Sequence, residues 1–414
     1  MSSTRRVVIT GIGVLAPNGN HLEDFWEATL QGVSGLDTIR AFDASDYPVN
    51  VAGEIKGFHL EDYTRDLPKY RRLARSSQLG VAATVMALKH AGITRDDLKK
   101  DAPVPVMMGL STSAIGVVEE AEDNHKRKGP EYVRPYTLAA SQPHACVNSI
   151  CEYLQVETRR STLASACPAG MDAIIQGAEW IRSGRSDVVL TGGVDSSITP
   201  LSMATFSMAG LAGKFTLPPD RCSRPFDKHR EGGVISEGIA VFVLEEIHHA
   251  RMRGGKPLAE LLGSAMVTDH KFDEPGSGFD RTMKEALANS GLVPSDVGYI
   301  SAHGPSHPIL DVVESKRIQR VFGRLAGRIP VSSIKGVIGN PVSAAGPLQV
   351  ASCVQAMQSG LLPPTANLED PDPECELNHI MSRAIRVHAE HILVNVHGMG
   401  GGNSSAVLRM VNGA

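Results

Sequence analysis

Strand-like and helical segments alternate along most of the chain, and this alternation restricts the fold more than any other feature. The strand-like segments are short runs of buried type, namely Val104–Leu110, Asp187–Thr191, Ile239–Glu245, Tyr299–Ala302, Ile392–His397 and Ser405–Val411. Apolar residues recur at helical spacing over residues 22–32, 76–92, 113–127, 168–184, 278–290, 309–323 and 343–359. Such alternation is typical of proteins in which helices cover buried sheets. We therefore predict an α/β fold.

One stretch of the sequence occurs in two similar copies. Residues 87–98 and 286–297 share the pattern A-L-x-x-[A/S]-G-[I/L]-x-x-x-D-[L/V]. The pattern is typical of an amphipathic helix that ends at a glycine cap, and each copy precedes a predicted strand. We interpret the chain as two similar halves, residues 1–250 and 251–414, joined near Glu246–Pro257. Because binding sites often form where such halves meet, we expect the site at their junction.

The first predicted strand, Arg5–Thr10, is expected to lead into a glycine turn. The segment Gly11–Ala16 matches the dinucleotide fingerprint G-x-G-x-x-A in letters only. The turn residues Pro17–Asn20 follow where the fingerprint requires a helix to begin. We therefore predict no dinucleotide site here.

The composition excludes several classes of protein. The chain has 41 lysines and arginines against 45 aspartates and glutamates, a net charge of −4, whereas a dedicated nucleic-acid binder is usually basic. The sequence contains no run of about 18 apolar residues, so we predict no membrane span. Glycines interrupt the apolar run near the N-terminus, so we expect no signal peptide and a cytoplasmic location. The six cysteines include no C-x-x-C pair, so we predict neither a disulfide scaffold nor a metal site.

Cys167 is the strongest candidate for a reactive residue. It follows a short predicted strand and precedes Pro168, which suits the first turn of a helix. The free N–H groups of a helix N-terminus carry positive partial charge, and we therefore expect them to lower the pKa of the thiol. A cysteine among small residues is equally compatible with simple packing. The segment alone leaves both readings open.

Further polar residues follow predicted strands in the second half. His303 stands on a turn after the strand Tyr299–Ala302, and Lys335 and Asn340 follow another strand. The segment Asn395–Ser405 predicts two strands joined by a glycine-rich turn. Glycines there permit a backbone N–H group to face a bound carbonyl.

Taken together, these segments resemble the β-ketoacyl-acyl-carrier-protein synthases, the elongating type I and II ketosynthases of the thiolase superfamily. The resemblance covers essentially the whole chain. It also includes the segments Val7–Gly13, Arg224–Gly232 and Ser236–Gly238. The resemblance implies the thiolase fold, with five αβαβα layers, and a dimer. It implies no organic cofactor and no metal, because the phosphopantetheine is carried by a partner acyl carrier protein.

The resemblance assigns the catalytic roles residue by residue. Cys167 matches the nucleophile that accepts the acyl chain, and its backbone N–H and that of Met399 match the oxyanion hole. His303 matches the first active-site histidine. Lys335 matches the family lysine, and Glu314 matches the glutamate that is usually bound to this lysine.

The resemblance also suggests binding surfaces. Arg71, Arg72 and Arg75 lie in the segment that often meets the acidic carrier protein. From their positions, Met108, Phe206 and Met399 are expected to line the substrate pocket.

Several residues depart from the family pattern. The second active-site histidine is Asn340, and the two threonines of the His303 motif are Pro305 and His307. The usual Phe-Gly-Phe segment reads His397-Gly398-Met399, which is expected to alter the gate and the chemistry of the pocket. An asparagine can donate a hydrogen bond to an enolate oxygen but cannot act as an acid or a base. Proton transfer is then left to His303 or His307.

Three functions agree with these residues. The leading hypothesis is decarboxylative condensation of an acyl chain held on Cys167 with a malonyl-type thioester, in polyketide or other specialised biosynthesis. The second is acyl transfer or cyclisation without condensation, for which His307 would be the proton shuttle. The third is a non-catalytic partner subunit resembling a chain-length factor, which the retained Cys167, His303 and Lys335 disfavour. We expect a homodimer, or a heterodimer with a second ketosynthase-like subunit.

Overall fold

The computed structural model describes residues 5–65, 72–112, 115–270 and 274–411. The strands are β1 (Val7–Leu15), β2 (Asp37–Thr38), β3 (Val51–Ala52), β4 (Val104–Gly109), β5 (Thr158–Leu163), β6 (Val188–Asp195), β7 (Gly238–Glu246), β8 (Ala259–Thr268), β9 (Tyr299–Ser301), β10 (Pro330–Ser332), β11 (Leu361–Leu362), β12 (Asn378–His379), β13 (Ile385–Arg386), β14 (His391–His397) and β15 (Gly402–Met410). The helices are α1 (Leu22–Gln31), α2 (Arg75–Ala91), α3 (Arg95–Lys100), α4 (Ile115–Lys128), α5 (Thr137–Ala140), α6 (Ala145–Leu154), α7 (Ala169–Arg182), α8 (Pro200–Met208), α9 (Ile247–Met252), α10 (Phe279–Ser290), α11 (Leu310–Phe322), α12 (Lys335–Ile338) and α13 (Ala345–Ser359). The predicted helices and strands are present within a few residues of their expected bounds. Several elements were not predicted, among them β8, α6 and α8.

The main sheet contains the same strand pattern twice. Its order is β12-β10-β9-β14-β15-β8-β1-β7-β6-β4-β5. Counted from β1, the five strands of the first half lie in the order first, fifth, fourth, second and third in the chain. The second half repeats this order from β8 and adds the short strand β12 at its outer edge. The halves join where Val7–Ile9 pairs antiparallel with Ala259–Leu261. The duplication is therefore visible in the topology, while a domain boundary at residue 250 stays a prediction.

Five layers follow from where the helices pack. Helices α7 and α13 lie between the two halves of the sheet and form the largest apolar core with both of them. Helices α2 and α6 cover the outer face of the first half, and α10 and α11 cover that of the second. This is the predicted αβαβα arrangement, and it explains why the strands between these layers are apolar on both faces.

The internal repeat marks equivalent helix ends in the two halves. Helix α2 ends at Gly92 and helix α10 at Gly291, with φ angles of 65° and 69°. Both glycines adopt the left-handed conformation that closes a helix, and a main-sheet strand follows each copy. The pattern read from the sequence is therefore confirmed as a helix with a glycine cap.

The glycines of the first strand do not form the predicted turn. Strand β1 continues through Gly11 and Gly13 to Leu15, and every one of its residues is buried. A Cβ atom on Gly13 would lie 2.0 Å from the carbonyl oxygen of Ala83 in α2. The prediction was wrong because these glycines serve the close approach of a helix to a strand, a contact that is distant in sequence.

No helix within the described part of the chain is both long enough and apolar enough to cross a membrane.

Candidate active site

Cys167 lies at a sharp bend between an edge strand and the central helix layer. Strand β5 ends at Leu163, and α7 begins at Ala169, so that Pro168 occupies the position just before the first helical residue. Ala166, directly before the cysteine, has a φ angle of 60°, which is unusual for a residue with a side chain. Strain of this kind often accompanies functional sites, since the surrounding structure must hold it in place.

Two backbone N–H groups point at the Cys167 sulfur. They belong to Met399 and to Cys167 itself, and both lower the pKa of the thiol, as does the Lys335 ammonium. Burial outweighs these effects and raises the pKa to about 11. The prediction of a low pKa was therefore wrong. Desolvation of the thiolate raises the pKa by more than the N–H groups at the helix N-terminus lower it. At neutral pH the thiol keeps its proton, and a base must remove it before the sulfur attacks.

Glu314 and Lys335 hold His303 in place. Its backbone N–H and that of Gly304 each donate to the Glu314 carboxylate at 2.8 Å. Lys335 Nζ lies 3.2 Å from His303 Nδ1 and also donates to the His303 carbonyl oxygen. Glu314 and Lys335 themselves form no ion pair within the described residues, so the expected direct contact between them is absent. The glutamate fixes the backbone of the His303 turn instead.

This arrangement determines what His303 can do chemically. Burial, the Lys335 ammonium and His397 hold its pKa well below the usual value, so the ring is neutral. Because the Lys335 ammonium donates to Nδ1, the ring proton lies on Nε2. His303 is therefore a hydrogen-bond donor to the cavity. The alternative that it serves as the base is disfavoured.

Asn340 presents its amide to the same cavity as Cys167 and His303. Its backbone N–H donates to the Val234 carbonyl at 2.7 Å, and its carbonyl accepts from Ser236 at 3.0 Å. Its Oδ1 is buried, and no described residue hydrogen-bonds it. The amide nitrogen has no hydrogen-bond partner among the described residues either, and it is not one of their buried unpartnered atoms, so it is the end of the side chain that can donate to a bound substrate.

His307 lines this cavity, but both of its ring nitrogens are occupied. Its Nδ1 accepts from the backbone N–H of Ile309 at 3.1 Å. A backbone hydrogen bond with Gly210 raises the pKa of the ring, as a carbonyl acceptor does, although burial lowers the pKa overall. These contacts fix the His307 ring against its own turn and disfavour a role as proton shuttle, which stays a prediction.

The cavity around Cys167 is small, and one of its lining residues is exposed. Its volume is about 60 Å³. Phe206 and Met399 line it as predicted, and the Met399 side chain is 61% exposed. An acyl chain requires more space than this, so the walls must move when the substrate enters. Met108 does not line this cavity and is fully buried in the apolar core of the first half, so its place in the substrate pocket stays a prediction.

The arginines expected to meet the carrier protein differ in their surroundings. Arg71 lies outside the described residues, and Arg72 is exposed. The Arg75 guanidinium pairs with both oxygens of the buried Glu237, at 2.5 and 2.7 Å, and donates to the Ile55 carbonyl. Arg75 is therefore committed to an internal contact. Arg72 and Arg75 both line a larger surface cavity of about 640 Å³ beside α4.

Comparisons with known proteins agree over the whole chain. Residues 4–250 match the family described as "Beta-ketoacyl synthase, N-terminal domain", and residues 258–369 match the corresponding C-terminal domain. The 3-oxoacyl-(acyl-carrier-protein) synthase 2 of Synechocystis is 33% identical over 403 residues, covering 96% of each chain. The enzyme of the same name from Vibrio cholerae is 34% identical, covering 98% of this chain and 99% of its own.

Solved structures of similar fold include ketosynthases of polyketide assembly. One is a type II polyketide synthase acyl-carrier protein in complex with its ketosynthase bound to the hexaketide, with a TM-score of 0.90 and 27% identity. Another is the ishigamide ketosynthase/chain length factor, with a TM-score of 0.91 and 29% identity. Each covers 99% of this chain and 100% of its own.

Proposed function

Because the chain belongs to the β-ketoacyl synthase family of acyltransferases, we propose that it loads an acyl chain from an acyl carrier protein onto Cys167 and condenses it with a malonyl-type thioester. The observation that carries this proposal is the pair of N–H groups, from Cys167 and Met399, that point at the buried sulfur. His303 and Asn340 share the cavity with that sulfur.

In the loading step, the thiol gives up its proton and the sulfur attacks the carbonyl carbon of the carrier thioester. The carbonyl oxygen becomes negative, and the N–H groups of Cys167 and Met399 stabilise it. The bond to the carrier's sulfur then breaks, and that sulfur leaves with a proton. The acyl chain remains on Cys167 as a thioester.

In the condensing step, a malonyl-type thioester loses its carboxylate as carbon dioxide, and the bonding electrons form an enolate. The neutral His303 donates from Nε2, and the Asn340 amide donates beside it, to the enolate oxygen. The enolate carbon attacks the acyl carbonyl and releases Cys167. Neither donor has to give up its proton, which agrees with the lowered pKa of His303.

The carrier protein supplies the phosphopantetheine arm, and we expect no cofactor held by this chain itself. Of the two described arginines that were expected to meet the carrier, Arg72 is exposed and forms no ion pair with a described residue, whereas Arg75 is paired with Glu237. The synthase 2 relatives favour fatty acid synthesis, and the polyketide ketosynthases of similar fold favour specialised biosynthesis. We propose the latter, because Pro305, His307 and Asn340 all change the side of the cavity that receives the extender unit.

Intact-mass measurement tests the activity in a single series. Incubation with acyl carrier proteins of different chain length is expected to add one acyl mass to the chain. Malonyl carrier protein is then expected to remove this mass, release carbon dioxide and yield a β-ketoacyl carrier protein. Loading without carbon dioxide release would contradict condensation and favour acyl transfer or cyclisation, and no loading at all would favour a non-catalytic subunit.

We expect the chain to dimerise through the β5 edge of the main sheet. The residues of β5 are half-buried or exposed at this edge, and α4 has no buried residue among those that the structure describes. An uncovered edge strand beside such a helix is typical of a surface that pairs with another chain. Light scattering should give about twice the 44.1 kDa of one chain. A monomer that becomes active only with a second ketosynthase-like subunit would indicate a heterodimer instead.

A further inference from the structure

The cavity contains a histidine that the steps above do not use. His397 lies at the end of β14, is buried, and lines the cavity that contains Cys167. Its ring lies perpendicular to that of His303, with 6.2 Å between the ring centres. The residues after it touch the nucleophile directly. A Cβ atom on Gly398 would lie 3.1 Å from the Cys167 nitrogen, and the Met399 N–H points at the sulfur.

The hairpin fixes which nitrogen of His397 carries the proton. His397 and Asn403 are the last paired residues before the glycine-rich loop, so that their side chains lie opposite each other. His397 Nδ1 lies 2.9 Å from Asn403 Oδ1. The Asn403 amide nitrogen donates to Asp269 Oδ1 at 2.7 Å and to two backbone carbonyls, so Oδ1 is the end that faces the ring. An oxygen can only accept, and His397 therefore donates from Nδ1.

The other nitrogen of His397 is free to accept a proton. No described residue hydrogen-bonds Nε2, and this atom does not belong to the buried unpartnered polar atoms of the described residues. Nε2 therefore reaches the cavity with an unshared electron pair. The buried Asp269, itself held by the N–H groups of Gly276 and Gly278 at 2.7 Å, stands behind Asn403. A negative charge in that place stabilises the ring once it is protonated.

We propose that His397 is the general base of this site, taking the thiol proton of Cys167 at Nε2 and returning it to the sulfur of the departing carrier. Asn403 and Asp269 act as positioning residues. The atoms balance, because the S–H proton moves to Nε2, the new thioester bond replaces the old one, and the leaving thiolate recovers the proton. The arrangement follows the logic of a nucleophile, a base and an orienting group. The proposal rests on the proposed function, since it supplies the base for acyl loading.

The structure offers no other free base at the sulfur among the described residues. His303 receives the Lys335 ammonium at Nδ1, and both nitrogens of His307 are bound to backbone. Asn340 cannot accept a proton at neutral pH. A histidine from β14 thus replaces the acid–base capacity that Asn340 lacks.

Two substitutions of His397 distinguish the loss of the basic Nε2 from the loss of the Nδ1 hydrogen bond to Asn403. His397→Asn keeps an amide donor near the position of Nδ1 and removes Nε2, whereas His397→Phe removes both. The probes are iodoacetamide, which alkylates Cys167 without any carrier, and the hexanoyl thioester of N-acetylcysteamine. His90→Asn, at an exposed helical position, is the matched control. Thermal melting checks that each variant is folded.

At pH 7 both His397 variants are expected to react about 10²–10³-fold more slowly at Cys167 than the wild type. The pH profile distinguishes a base from a structural residue. Burial lowers the pKa of His397, so its neutral form is present throughout the range above pH 6.5. In the variants only the thiolate reacts, and since the pKa of Cys167 is about 11, their rates should rise about tenfold per pH unit. The deficit should therefore shrink steadily towards pH 10.

The groups that face His397 are the Cys167 thiol, His303 with Lys335 behind it, and Asp269 behind Asn403. His303 is also protonated in acid, so a loss of rate at low pH would not identify the base. The decisive measurement is therefore the rise of the reaction rate with pH in the His397 variants. Wild-type rates in the variants at pH 7, or a deficit that is constant with pH, would overturn the proposal. A third outcome is possible, in which iodoacetamide labelling of Cys167 depends on His397 as expected but the wild type is never acylated by the hexanoyl thioester. That result would contradict the proposed function and still support His397 as the base.

Discussion

Replacing Cys167 with alanine is expected to abolish acyl loading, so that no acyl mass is added to the chain by any acyl carrier protein. The substitution removes the sulfur that the N–H groups of Cys167 and Met399 surround. No second thiol can replace it, because Cys146, Cys222, Cys353 and Cys375 are buried elsewhere. Loss of a covalent nucleophile in other enzymes lowers turnover on the order of 10⁶-fold. Condensation should therefore fall below detection.

Cys151→Ala is the matched control, since Cys151 is the other described cysteine that is not fully buried. It should load and condense as the wild type does. Carbon dioxide release in the Cys167 variant is a separate measurement, because decarboxylation requires His303 and Asn340 but no sulfur. Full loading in Cys167→Ala, with the acyl group mapped to another residue, would contradict the assignment of the nucleophile.

The positions of Cys167 and His303 were predictable because their signals are local. Each follows a strand, and proline or glycine marks the bend that comes next. The duplication was predictable for the same reason, since a glycine cap ends one helix in each half. Such features depend on neighbours within a few residues, which the sequence displays directly.

Other properties depend on distant residues. The pKa of Cys167 is set mainly by burial and partly by Lys335 and Met399, both far away in the chain. The His307 ring likewise interacts with the backbone of Gly210, almost a hundred residues earlier. Met108 lies on a strand covered on both faces, where the pattern of apolar residues does not tell which side chain faces the cavity. The role of Glu314 could not be predicted for the same reason, since its carboxylate accepts from the backbone N–H of His303, which only the fold brings within reach.

The positioning residues of His397 were missed altogether. Asn403 lies in the segment that predicts two strands and a glycine-rich turn, and its residue type gave it no role there. Its pairing with His397 was available as a signal, because the two residues that flank the five-residue glycine-rich segment 398–402 are expected to face each other across a hairpin. Asp269 gave no signal, since nothing near it in sequence connects it to strand β15.

Asn340→Ala is expected to abolish condensation while acyl loading on Cys167 continues. The alanine removes one of the two donors to the enolate oxygen, and loss of one such donor typically lowers turnover on the order of 10²–10³-fold. Loading uses the N–H groups of Cys167 and Met399 instead, so the acyl mass should still appear at the wild-type rate. The fall should be visible as carbon dioxide release from labelled malonyl carrier protein.

Asn340→His restores the residue that the family usually has and serves as the companion variant. A neutral histidine can donate one hydrogen bond at this position, so decarboxylation should recover to within about tenfold of the wild type if donation is what Asn340 provides. The backbone bonds of Asn340 to Val234 and Ser236 do not involve the side chain and should survive in both variants. Equal carbon dioxide release from the wild type and Asn340→Ala would show that His303 stabilises the enolate alone. A loss of loading in Asn340→Ala would place Asn340 in the first step, where the geometry gives it no part.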